Sequence, residues 1–134
     1  MNKKYVLTLI IFLLVNQQNV FAHIIDDEEQ NCIAKTSSTT EMNKCSQIAL
    51  DSWNKEINDI LYYLKNNTDL KTYKKIEQSQ KLWGKYKNNE IKTYSKFLTE
   101  YSQGTMYKNV FKGHEVAIVK QRALQLQEYK NIYP

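Results

Sequence analysis

Apolar and polar positions divide this chain into stretches with different periods. Val6 to Val15 form a continuous apolar run broken only by Thr8, behind Lys3 and Lys4. Asn16-Gln17-Gln18-Asn19 leads into Val20-Phe21-Ala22, with compact residues at the two positions a signal peptidase reads. About ten apolar residues cannot cross a hydrocarbon core that needs ~20. The pattern therefore predicts a cleaved secretory signal over residues 1–22, not an anchor. Residues 23–37 are polar and carry the acidic run Asp26-Asp27-Glu28-Glu29 without useful periodicity, so they read as an arm that orders only near Cys32. Ser38-Thr39-Thr40-Glu41 then supplies a helix-capping box. Behind it, Met42, Cys45, Ala49, Trp53, Ile57, Ile60 and Leu64 recur at spacings of three and four as one apolar stripe.

Asn66-Asn67-Thr68-Asp69 ends that helix, since such residues bond their own backbone in turns. A second helix is predicted from about Leu70 to Tyr101, with Tyr73, Ile76, Gln80, Trp83, Tyr86, Glu90, Tyr94, Phe97 and Tyr101 at helical spacing. Gly84 inside it would let another helix approach the backbone beside Trp83. Ser102-Gln103-Gly104-Thr105 breaks the run, Met106 to Lys112 reads as a short turn, and a last helix from about His114 to Asn131 buries Val116, Val119, Ala123 and Leu126. No stretch alternates with period two long enough for a strand. The expected fold is all-α, an antiparallel three- to four-helix bundle with one disulfide, built from residues 38–134.

Composition changes this picture little. Removing Lys3 and Lys4 lowers the formal charge from +5 to +3. The basic residues are nearly all lysine, set singly along helices, which reads as solvated surface in a Lys-, Asn-, Ile- and Tyr-rich chain and not as a nucleic-acid interface. Cys32 follows the expected cut by ten residues, so it is not a lipid-acylated residue, and no membrane anchor remains after cleavage. Cys32 and Cys45, the only two cysteines, are expected to form a structural disulfide. No histidine partners them as in a zinc site, and their spacing is not that of a Cys-x-x-Cys redox pair.

Candidate chemistry is sparse. His23 and His114 have no His-x-x-x-His spacing, and neither a phosphate loop nor a Gly-x-Ser-x-Gly elbow occurs. Glu56 and Glu90 could be posed as a glycosidase pair, but one exposed carboxylate and one in a polar core network is the simpler account. No catalytic residue, metal or cofactor is implied, and the chain reads as a non-enzyme.

Several ordered motifs carry a resemblance. Thr40-Glu41-Met42-Asn43-Lys44-Cys45 is followed by Asn54-x-Glu56-Ile57-Asn58, then by Gln80-Lys81-Leu82-Trp83-Gly84-Lys85-Tyr86, Gly104-Thr105-Met106 and Arg122-x-x-x-Leu126. Over roughly Cys32 to Leu126 the chain resembles the LprI-type domain, a family of small exported bacterial proteins named for a lysozyme-inhibiting lipoprotein. It departs at Asn54, where members often carry Asp, and at Lys87-Asn88, where they carry Arg-Asp. A second family cysteine pair would fall near Ile91 and His114, and both are missing. Glu56, Asn58, Gln80, Trp83 and Arg122 are expected to form a structural polar cluster between the helices.

The resemblance implies a periplasmic or secreted protein whose partner is a lysozyme-like cell-wall hydrolase. The alternative is an immunity or adaptor protein for another envelope partner, such as a toxin. Lysozymes are typically basic, so a domain at +3 gains no overall attraction to one. The expected contacts are therefore the irregular segments, Asp26, Asp27, Glu28 and Glu29 on the arm and Gln103, Gly104 and Thr105 on the loop.

Overall fold

The computed structural model describes residues 23–101, 104 and 106–133. The predicted signal segment 1–22 lies outside the described residues, as do Gln103 and Thr105 of the expected contact loop. The described residues form four helices, α1 (Ile24–Ile33), α2 (Thr39–Asn67), α3 (Leu70–Tyr101) and α4 (Tyr107–Ile132), and no strand. The all-α bundle is thus the observed architecture, and its single disulfide joins Cys32 to Cys45.

The local chemistry explains where each helix begins and ends. Ser38 Oγ accepts the Glu41 amide at 3.4 Å and starts α2, while the Glu41 carboxylate takes Lys44 Nζ at 2.7 Å instead of closing the box. At the far end the Thr68 hydroxyl and amide both turn back to the Leu64 carbonyl, at 2.7 and 3.0 Å. Asp69 then accepts the Thr72 amide at 3.0 Å and its hydroxyl at 2.6 Å, which caps α3. Between α3 and α4, Gly104 adopts φ +93°, a conformation glycine reaches without a Cβ penalty.

Two chain reversals leave α2 and α4 parallel and side by side. Asn43 donates to Asn109 at one end (2.9 Å), and the Tyr63 hydroxyl to the Tyr133 carbonyl at the other (2.8 Å). α3 runs antiparallel along the outer side of α4, and α1 runs antiparallel along α2, so the order in space is α1–α2–α4–α3. The core is Ala49, Trp53, Ile57, Ile60 and Leu64 of α2 against Val116, Val119, Ala123 and Leu126 of α4, with one residue each from α1 (Ile25) and α3 (Ile76). Burial of a side chain such as Leu64 or Leu126 stabilises by about 1.5–3 kcal/mol.

Two expectations need correction. The segment expected as an irregular arm is helical from Ile24 to Ile33. A helix of ten residues is too short to stand alone in water, and docking makes up the deficit. Ile25 is buried, the His23 ring lies 4.4 Å from that of Trp53, and Asp26 pairs with Lys120 at 2.6 Å. One buried apolar side chain leaves no period to read in a sequence. Second, α4 begins at Tyr107, not His114, because Asn109 and Lys112 tie its first turns to Asn43 and Gln47 of α2. On α3, Tyr86, Phe97 and Tyr101 recur at helical spacing and are 56%, 60% and 78% exposed. Their part of the α3 surface lies beside the contact with α4, not within it.

Candidate functional site

Arg122 is the one charged side chain drawn into the described core, at 4% exposure. Its Nε donates to Gln80 Oε1 at 2.8 Å, one terminal nitrogen to Ser79 Oγ at 3.2 Å and the other to Gln125 Oε1 at 3.3 Å. The guanidinium carbon stands 5.9 Å from the centre of the Trp83 ring. Burial lowers the guanidinium pKa from its ordinary value, and Tyr129 opposes this more weakly. Neutral acceptors and an aromatic face thus hold a buried cation that has no carboxylate within ion-pair distance among the described residues.

Of the residues expected in this cluster, Gln80 and Trp83 lie against Arg122, and Asn58 and Glu56 do not. Asn58 is exposed, because it stands about 100° around the helix from Ile57, off the buried stripe of α2. Glu56 is half-buried and makes no bond to the guanidinium. Sequence reasoning missed Ser79 and Gln125. Gln125 follows Arg122 by three positions on the same helix face, which was the available signal. Glu90 belongs to a separate contact, with its carboxylate 3.6 Å from His114 Nε2 and the His114 ring stacked on Tyr94 at 3.8 Å. This α3–α4 contact stands where the resemblance places the missing cysteine pair.

The expected partner contacts are spread differently from the sequence reading. Asp26 is committed to Lys120, Asp27 and Glu28 are exposed on α1, and Glu29 is half-buried. Gly104 is exposed in the α3–α4 connection. A crevice of about 670 Å³ opens nearby between the start of α2, the end of α3 and the start of α4, walled by Thr39, Thr40, Asn43, Ser95, Thr99 and Asn109. Tyr107, Lys108 and Lys112 also line it, so the wall combines neutral hydrogen-bonding groups with positive charge. Among the described residues no three of His, Cys, Asp and Glu converge as metal ligands, and no helix is long and apolar enough to cross a membrane. Among the described residues, two buried ring nitrogens, Trp53 Nε1 and His114 Nε2, lack a hydrogen-bond partner.

A family model described as "Lysozyme inhibitor LprI" matches residues 32–126, which takes in the disulfide, all of α2 and α3, and α4 as far as Leu126. No curated protein matches the chain. Among solved structures, an uncharacterised protein from Burkholderia thailandensis is similar in fold, with a TM-score of 0.71 at 24% identity. The match covers 84% of this chain and 56% of that one, so this chain spans little more than half of that protein's length.

Proposed function

This chain belongs to the LprI lysozyme-inhibitor family, and from that membership we propose that it is an exported, non-catalytic protein that binds and blocks lysozyme or a related cell-wall hydrolase. The observation that carries the reading is the family match across 32–126. The family's description as a lysozyme inhibitor supports a lysozyme-like partner. Export rests on the apolar run and the small-residue cut before His23. A bundle fastened by a disulfide suits an oxidising envelope compartment.

Blocking needs only that a rigid surface occupy the substrate cleft, so no reacting group is required of this chain. Because the acidic run is a docked helix, any contribution from Asp27 and Glu28 comes from a fixed edge of the bundle and not from a reaching arm. The test is lysis of muramidase-sensitive cells or purified wall in the presence of the oxidised protein starting at His23. Dose-dependent protection of the wall by micromolar protein is the expected result. Undiminished lysis by every muramidase tried would remove the reading.

A further inference from the structure

Between Leu70 and Lys87, α3 carries six lysines and one acidic residue, Glu77, a formal charge of +5. The rest of the chain after residue 22 has eleven basic and thirteen acidic side chains, a charge of −2. The positive excess of the exported chain is thus the first half of one helix. Lys71, Lys74, Lys75, Lys81 and Lys85 are exposed, and Lys87 is half-buried over the Trp83 ring. None of these six has a carboxylate partner among the described residues; elsewhere Lys44, Lys55, Lys96, Lys112 and Lys120 sit in ion pairs, and the lysines that do not (Lys35, Lys65, Lys92, Lys108 and Lys130) are scattered singly.

That arrangement works against the helix that bears it. Lys71 and Lys75, and Lys81 and Lys85, are like charges one turn apart. Lys71, Lys74 and Lys75 also crowd the positive end of the helix dipole. A face with no task beyond solubility is better served by mixed signs, as on α2, where Glu41 faces Lys44 and Lys55 faces Asp59. The same stretch also has relief. Three depressions, of about 470, 260 and 510 Å³, open along it, and all three include Lys75. Exposed Leu70, Leu82 and Tyr86 of α3 and Ile132 of α4 line them.

We infer that this face of α3 is the surface that grips the hydrolase, and that the matching surface of the hydrolase is acidic. The inference rests on the inhibitor reading above and adds the place of contact and the charge of the target. Glycosidases hold the scissile bond between two carboxylates, so a substrate cleft offers these lysines the partners that the chain itself withholds. An anionic bilayer would answer the charge but not the shape, because Lys75 divides the apolar side chains into separate hollows instead of one continuous plane.

The oxidised protein is to be compared against a basic hen-type lysozyme and an acidic bacterial muramidase, at low and high salt, by association kinetics and wall-lysis inhibition. Three variants accompany it. One carries Lys71→Gln, Lys74→Gln, Lys75→Gln, Lys81→Gln and Lys85→Gln, a second carries arginine at the same positions, and a third carries Asp27→Asn with Glu28→Gln. The wild type is expected to prefer the acidic enzyme. The glutamine variant should associate roughly tenfold more slowly, with a flattened salt dependence. The arginine variant should keep the association rate, and the α1 variant should be unaffected. Equal binding by wild type and a folded glutamine variant overturns the assignment of the face while leaving the inhibitor reading intact. So does preference for the basic enzyme, lost in the α1 variant. If the wild type binds neither enzyme, the inhibitor reading falls and this inference falls with it. Lysine-dependent binding only to vesicles containing phosphatidylglycerol overturns it in favour of a lipid surface.

Discussion

α2 and α3 are similar in length, 29 and 32 residues, and nearly opposite in what holds them. Seven residues of α2 are buried, and Trp53 and Leu64 are wholly inaccessible. α3 buries Ile76 alone and leaves Leu70, Leu82, Tyr86, Phe97 and Tyr101 largely exposed. The central helix is specified by packing, since each of its stripe residues fills space that no other residue can fill. The peripheral helix is held by its cap at Asp69, by hydrogen bonds from Arg122 to Ser79 and Gln80, and by stacking of Tyr94 on His114. A surface released from packing is free to carry charge, and the densest run of lysines in the chain after residue 22, six between Leu70 and Lys87, is on that surface.

The sharpest way to break this contrast is to remove one aromatic side chain from each helix. Trp53→Ala should cost about 3–5 kcal/mol in urea unfolding, as a large fully buried side chain does. Tyr86→Ala should stay within about 0.5 kcal/mol. Equal losses would mean that α3 packs as tightly as α2. Next in size is the covalent tie. Replacing Cys32 and Cys45 together with alanine should cost about 3 kcal/mol in the chain-entropy account of a bridge thirteen residues apart. Amide exchange should quicken most along α1, with α3 little changed. Exchange that quickened evenly across the bundle would deny α1 its dependence on the bridge.

The third effect, smaller than the loss of Trp53 or of the bridge, has the opposite sign. A Cβ built at Gly84 meets nothing within 4 Å, so no helix makes the close approach that the sequence suggested there. Gly84→Ala should therefore stabilise by about 1 kcal/mol through helix propensity, read as a rise in melting temperature. A fall would place a close neighbour at the loose helix after all.

Amino-acid order alone determined the parts of this protein in which a side chain's fate follows from its nearest neighbours along the chain. The Ser38 cap, the stripe from Ala49 to Leu64, the turn at 66–69 and the core side chains of α4 all follow from a period of 3.6, and the disulfide follows from there being two cysteines. The tertiary structure decided whatever depends on what stands across the gap. Ile25 and Asp26 became a docked helix only because Trp53 and Lys120 were there to receive them. Asn58 left the polar cluster, while Ser79 and Gln125 joined it, because 100° of helix rotation separates facing a neighbour from facing water. The tyrosines of α3 share their helical spacing with core residues, yet only the placement of α4 determined which of them it would cover. Periodicity fixes which residues share a face, and the position of the opposing helix fixes which face is buried.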